Sequence, residues 1–184
     1  VSSVIPGAPA TINGQLYGLC NQTNVVYNCP AVANATSYLW TVPAGVTILT
    51  GQGTNAITVK YTGTFTNTGT ISVIAQSGCG NSAATSKTLN AKPQQPVISG
   101  LNYACKGQPG LTYSLAPVTG ASSYTWTIVA GSTLVSGQGT TSIVVNWGSI
   151  NGQIKCTANN ACGSSLQASL SVSFTCKESG DLFD

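Results

Sequence analysis

The stretch Tyr38-Leu39-Trp40-Thr41-Val42, followed by Gly51-Gln52-Gly53-Thr54, returns 86 positions on as Tyr124-Thr125-Trp126-Thr127-Ile128 and Gly137-Gln138-Gly139-Thr140. The surroundings return with it. Ile57-Thr58-Val59 answers to Ile143-Val144-Val145, Tyr27 to Tyr113, and Gly14 to Gly100. After a small deletion the shift becomes 83, where Cys79-Gly80-Asn81-Ser82 answers to Cys162-Gly163-Ser164-Ser165. Even the entries agree, Pro6-Gly7-Ala8-Pro9 against Pro93-Gln94-Gln95-Pro96. Self-similarity over this length encodes one packed unit twice. The expected organisation is a first domain over 1–92, a second over 93–177, and a tail over 178–184. The linker Lys92-Pro93-Gln94-Gln95-Pro96 holds two prolines, so a stiff connection with a restricted angle is expected.

Within each copy, β-branched and aromatic runs recur at intervals of roughly 8–12 residues between Gly, Asn and Pro clusters, the pattern of an antiparallel sandwich. In the first copy it predicts strands near 10–17, 24–30, 36–42, 46–50, 55–62, 69–76 and 83–90. Around residues 57–62 the side chains alternate: Ile57, Val59 and Tyr61 fall on one face, Thr58, Lys60 and Thr62 on the other. No segment sustains a 3.6-residue apolar period. The fold class is therefore all-β, two tandem immunoglobulin-like sandwiches of about seven antiparallel strands each. Trp40 and Trp126 take the place of the central buried Trp.

Charge narrows the function. Of 184 residues, six are Lys, none is Arg or His, and three are acidic. The acids Glu178, Asp181 and Asp184 all lie in the tail, so 1–177 hold no Asp, Glu, His or Arg. General acid–base catalysis near neutral pH usually needs one of those groups. Hard-cation sites draw on carboxylate oxygens, and catalytic zinc on His or carboxylate. An enzyme, a metal site and a cofactor site are therefore not expected. The lysines are spread singly rather than clustered, against a nucleic-acid surface, and no run approaches the ~18 apolar residues of a membrane-spanning helix. There is no Met, so Val1 is not expected to be a translation start; removal of a signal peptide, or excision from something longer, is.

Seven cysteines in such a chain suit an oxidising compartment. Cys20 and Cys79 hold the places in copy one that Cys105 and Cys162 hold in copy two, which predicts disulfides Cys20–Cys79 and Cys105–Cys162. Each would stabilise its domain by about 4 kcal/mol by loop-closure entropy. Cys29 aligns with Leu115 and Cys156 with Val73, all on core-facing parity, so both thiols are expected as small buried hydrophobes. Cys176 makes the number odd and is a candidate for pairing outside the chain.

The ordered set Tyr-x-Trp-x-Val/Ile, Gly-Gln-Gly-Thr, a strand, then Cys-Gly before a last strand resembles the PKD-like (polycystic-kidney-disease-like) domains of bacterial surface and secreted proteins, common among type IX secretion substrates. The resemblance spans residues 5 to 176. It implies a non-catalytic module, used as a structural or adhesive spacer in a secreted or cell-surface protein, with other domains of a larger protein or further copies of itself as partners.

Two other uses are open. Carbohydrate binding wants exposed aromatic platforms; Tyr61 and Trp147 have inward parity, leaving Tyr17, Tyr103 and Phe65 as candidates for a surface polysaccharide. Assembly into a surface filament would use the tail, where Glu178, Asp181 and Asp184 surround Leu182-Phe183 and contrast with a basic body. The run Thr62, Thr64, Thr66, Thr68 and Thr70 reads as solvent-facing strand positions.

Overall fold

The computed structural model describes residues 4–174. It divides into two compact units, one holding the residues up to Pro93 together with Ala161–Gly163, the other Gln94–Asn160 and the residues from Ser164. No helix occurs among the described residues.

The first unit carries β1 (Val25–Asn28), β2 (Ser37–Thr41), β3 (Val46–Thr50), β4 (Ala56–Tyr61), β5 (Thr68–Ser77), β6 (Gly80–Asn81) and β7 (Thr85–Asn90). One sheet runs β1-β4-β3; the other pairs β5 with β2, β6 and β7, and every pairing is antiparallel. The alternation in the sequence explains the packing. Along β4, Ile57, Val59 and Tyr61 are buried while Lys60 is exposed. They meet Tyr27, Trp40, Ile71, Val73 and Leu89 in one core.

The expected strand over 10–17 does not form; only Asn13 bridges to Asn28. Gly14 is the reason. At φ +142 its missing Cβ would stand 2.5 Å from Tyr27 Cδ1, so the chain here hugs a tyrosine ring instead of extending a ladder. Beyond it, the N–H groups of Gly18, Leu19 and Cys20 donate to Lys92 O, Asn90 O and Ala91 O, lining this segment along the end of β7.

The second copy repeats the plan with β8 (Ile98–Ser99), β9 (Tyr103–Ala104), β10 (Leu111–Leu115), β11 (Ser123–Thr127), β12 (Thr133–Ser136), β13 (Ser142–Asn146), β14 (Gly152–Asn160), β15 (Gly163–Ser164) and β16 (Ala168–Phe174). Its sheets run β12-β13-β10-β8 and β11-β14-β16-β9, with β15 on β14. The short β9 lies parallel to β16, Tyr103 opposite Ser173 and Ala104 opposite Phe174. Tyr113, Trp126, Ile143, Val145, Trp147 and Ile154 build the core. The predicted threonine ladder is no single strand face, since β4 ends at Tyr61 and β5 starts at Thr68.

Candidate functional site

The repeated Gly-Gln-Gly-Thr is a loop between β3 and β4 and again between β12 and β13. Its Gln side chain closes on the backbone of the Trp strand. The Trp40 N–H donates to Gln52 Oε1 at 3.0 Å and Gln52 Nε2 donates to Trp40 O at 2.9 Å. In copy two, Trp126 N–H donates to Gln138 Oε1 at 2.9 Å and Gln138 Nε2 to Trp126 O at 3.0 Å. The indoles fasten the same loops, Trp40 Nε1 donating to Thr54 O at 2.9 Å and Trp126 Nε1 to Thr140 O at 2.8 Å. Thr54 Oγ1 lies 2.8 Å from Gly51 O and 2.7 Å from Ala56 O, bracing the turn itself. The first Gly of each motif is obligatory, because a Cβ there would meet a carbonyl oxygen at 2.1 Å (Ala56) or 2.0 Å (Ser142).

A second polar group is buried in copy one. Tyr27 OH donates to Gln15 O, so the 2.7 Å contact with Tyr61 OH has Tyr61 as donor. Burial pushes Tyr27 up to about 12, and Tyr61 upward too, through burial and then its bond to Tyr27. Copy two has Trp147 where copy one has Tyr61, and that indole donates instead to Ile150 O at 3.1 Å. Tyr113 OH is left buried with no hydrogen-bond partner.

The cysteines overturn the expected pairing. Cys20 is bonded to Cys162, Cα–Cα 5.8 Å, across 142 positions of sequence. That excludes both Cys20–Cys79 and Cys105–Cys162. The reason is longitudinal. Cys20 lies beside Ala91, whose N–H donates to Asn67 O just before β5 begins, whereas Cys79 follows the far end of that ten-residue strand. At ~3.3 Å per residue the two are about 30 Å apart, and a disulfide needs Cα atoms closer than about 7 Å. In copy two Cys105 follows β9, beside the far end of β16, while Cys162 follows β14 at the opposite end of the sheet. Cys105 is itself disulfide-bonded, and Cys79 is exposed in the β5–β6 turn. Cys29 and Cys156 are buried, and burial pushes both thiols up, Cys156 to about 11, which keeps them protonated and inert as nucleophiles. Cys176 and the tail residues Glu178, Asp181, Leu182, Phe183 and Asp184 lie outside the described residues.

Among the sugar candidates, Phe65 is buried against Tyr61 and drops out. Tyr17 and Tyr103, at equivalent places in the two copies, are exposed. Among the described residues no group of His, Cys, Asp and Glu could hold a metal ion, and no helix is long and apolar enough to cross a membrane.

The sequence profile of the PKD-like domain matches residues 5–90 and again 91–172. The chain belongs to the PKD-like domain family. No curated protein sequence matches this PKD-like pair. Solved structures similar to it include a two-domain fibronectin type III segment of chicken tenascin (15% identity, 90% of this chain and 98% of that one, TM-score 0.36) and the D00-D0 domain of intimin (13% identity, 88% and 98%, TM-score 0.33). A Dscam chain matches at 14% identity over 95% of this chain, with TM-score 0.35; the PKD-like pair spans 47% of that chain's length. Sequence reasoning missed the task of Gln52 and Gln138 in these PKD-like domains. The available signal was a Gln kept between two glycines and followed by Thr in both copies.

Proposed function

We propose that the PKD-like pair is a non-catalytic, extracellular structural or adhesive spacer of a secreted or cell-surface protein, acting beside other domains of a larger chain. One observation carries the reading. The polar constellation that the sequence repeats, Gln52 and Thr54 with Gln138 and Thr140, is hydrogen-bonded to its own domain's backbone rather than gathered around a cleft. The disulfides fit an oxidising location, and the bacterial surface and type IX export are taken from the family resemblance.

The test is a binding and turnover screen on the whole chain. Glycan arrays, cell-wall polysaccharide pull-downs and a hydrolase substrate panel are expected to give no turnover and no saturable sugar binding. Saturable binding abolished by Tyr17→Ala or Tyr103→Ala would replace the spacer reading with a carbohydrate-binding one, since those exposed rings are the available platforms. The filament alternative rests on the tail, and identical sedimentation of the full chain and one ending at Lys177 would remove it.

A further inference from the structure

β2 is an edge strand. A bare edge offers unpaired N–H and C=O groups to any extended chain, and proteins usually guard it with charge, a bulge or a cover. β2 turns the backbone groups of Tyr38 and Trp40 away from β5, and all four have partners in the loop. Tyr38 N–H donates to Gly53 O and Gly53 N–H to Tyr38 O, each at 3.1 Å, while Gln52 takes both groups of Trp40. A carboxamide carries the donor and acceptor of a peptide group, so Gly53 backbone and Gln52 side chain together imitate two residues of a neighbouring strand. β11 is treated alike: Tyr124 bridges to Gly139, and Gln138 takes Trp126.

Other guards are missing from these edges. β2 (SYLWT) and β11 (SYTWT) carry no charge, and their pairings with β5 and β14 run without a register break. Two other edge strands, β3 and β12, do break register, between Ile48 and Thr50 and between Leu134 and Ser136, as a bulge-protected edge does. Both Gln side chains are exposed, so core packing does not require them.

We propose that each Gly-Gln-Gly-Thr loop is a strand-edge cap, occupying an acceptor edge that would otherwise pair with the same edge of a second copy of this chain. The exposed Leu39 on β2 would add apolar contact to such a pairing. The cap decides whether the chain stays single or associates, independently of whether its role is that of a spacer.

The test uses the full chain and the double variants Gln52→Ala/Gln138→Ala and Gln52→Lys/Gln138→Lys. Both lose the same hydrogen bonds, but lysine restores a charged guard. In sedimentation velocity from low to high micromolar concentration, the natural chain and the Lys variant are expected to stay monomeric. The Ala variant is expected to shift to dimers and larger species as concentration rises. Exchange of the Trp40 and Trp126 amides should quicken about fivefold or more in both variants, as loss of an exposed hydrogen bond implies. A folded Ala variant with faster Trp40 exchange that stays monomeric throughout would overturn the proposal, leaving the amide as a local brace. Equal association of the Ala and Lys variants would overturn it as well. Should the double Ala variant not fold, the uncharged single variant Gln138→Ala bares the two backbone groups of Trp126 alone; concentration-dependent association of that variant supports the cap, and its absence refutes it.

Discussion

Removing one oxygen should have opposite effects in the two domains. In copy one, Tyr27→Phe takes a donor from Gln15 O and an acceptor from Tyr61 OH, which is buried. The lost bond is worth about 1 kcal/mol and the stranded Tyr61 hydroxyl about 1–3 more, a destabilisation of at least about 2 kcal/mol. In copy two, Tyr113 OH has no partner to lose. Tyr113→Phe deletes a desolvated hydroxyl and should stabilise its domain by about 1 kcal/mol. Native-state hydrogen exchange separates the domains within one chain, because slow core amides report the opening energy of their own unit. The amide of Val59 on β4 should exchange roughly 30-fold faster in Tyr27→Phe, and that of Val145 on β13 roughly fivefold slower in Tyr113→Phe, at 1.4 kcal/mol per decade. Acceleration of Val145 in Tyr113→Phe comparable with that of Val59 in Tyr27→Phe would refute the reasoning, since it would mean that the Tyr113 hydroxyl has a partner.

Cleavage after lysine leaves Cys20, Cys79 and Cys162 in three different peptides; unreduced peptide mapping is expected to recover Cys20 with Cys162, and recovery of Cys20 with Cys79 would contradict the structure. Gly51→Ala should destabilise by at least about 3 kcal/mol, combining a positive φ with a 2.1 Å clash on Ala56 O, while Gly53→Ala, with open space at its Cβ, should cost only about 1–2 kcal/mol; equal melting points would discard the clash. With no Asp, Glu or His in the first 177 residues, denaturant midpoints should be nearly flat from pH ~8 down to ~2, because acid unfolding works by protonating those groups. Above pH 9 the sign turns: the thiol of Cys156 is raised from 9.0 to about 11 and Tyr27 from 10.0 to about 12, so the unfolded chain ionises first and stability falls as pH climbs from about 9 to 12. A loss of stability on acidification instead would refute this account.

What the sequence disclosed and what it withheld separate along a physical line. Strand alternation is local, and the placement of Ile57, Val59 and Tyr61 in a core could be read from a period of two. The repeat showed that Cys20 and Cys105 occupy one position and Cys79 and Cys162 another. Equivalence between copies says nothing about distance within a copy, and β5 turned out to separate Cys20 from Cys79. The first strand failed for a related reason: alternation near 10–17 was present, but close approach of Gly14 to the Tyr27 ring is a tertiary fact. The partnerless Tyr113 was equally hidden, because its state depends on the direction of the Trp147 indole.

The two buried thiols show how such a chain divides its labour. Trp40 stands opposite Val73 and Trp126 opposite Cys156 in the sheet register, and Cys29 of copy one aligns with the buried Leu115 of copy two, so each domain buries an apolar group where the other buries a thiol. Neither core needs a disulfide there; the one formed by Cys20 is placed at the end of the sheet. Polar economy follows the same rule. Residues 1–177 carry no carboxylate side chain, so no two of their side chains form an ion pair to steer folding, and six single lysines cannot guard every strand edge. Neutral hydrogen bonds must do both tasks. A carboxamide suits the second because it satisfies donor and acceptor at once without introducing a charge, as Gln52 and Gln138 do for the backbone of Trp40 and Trp126.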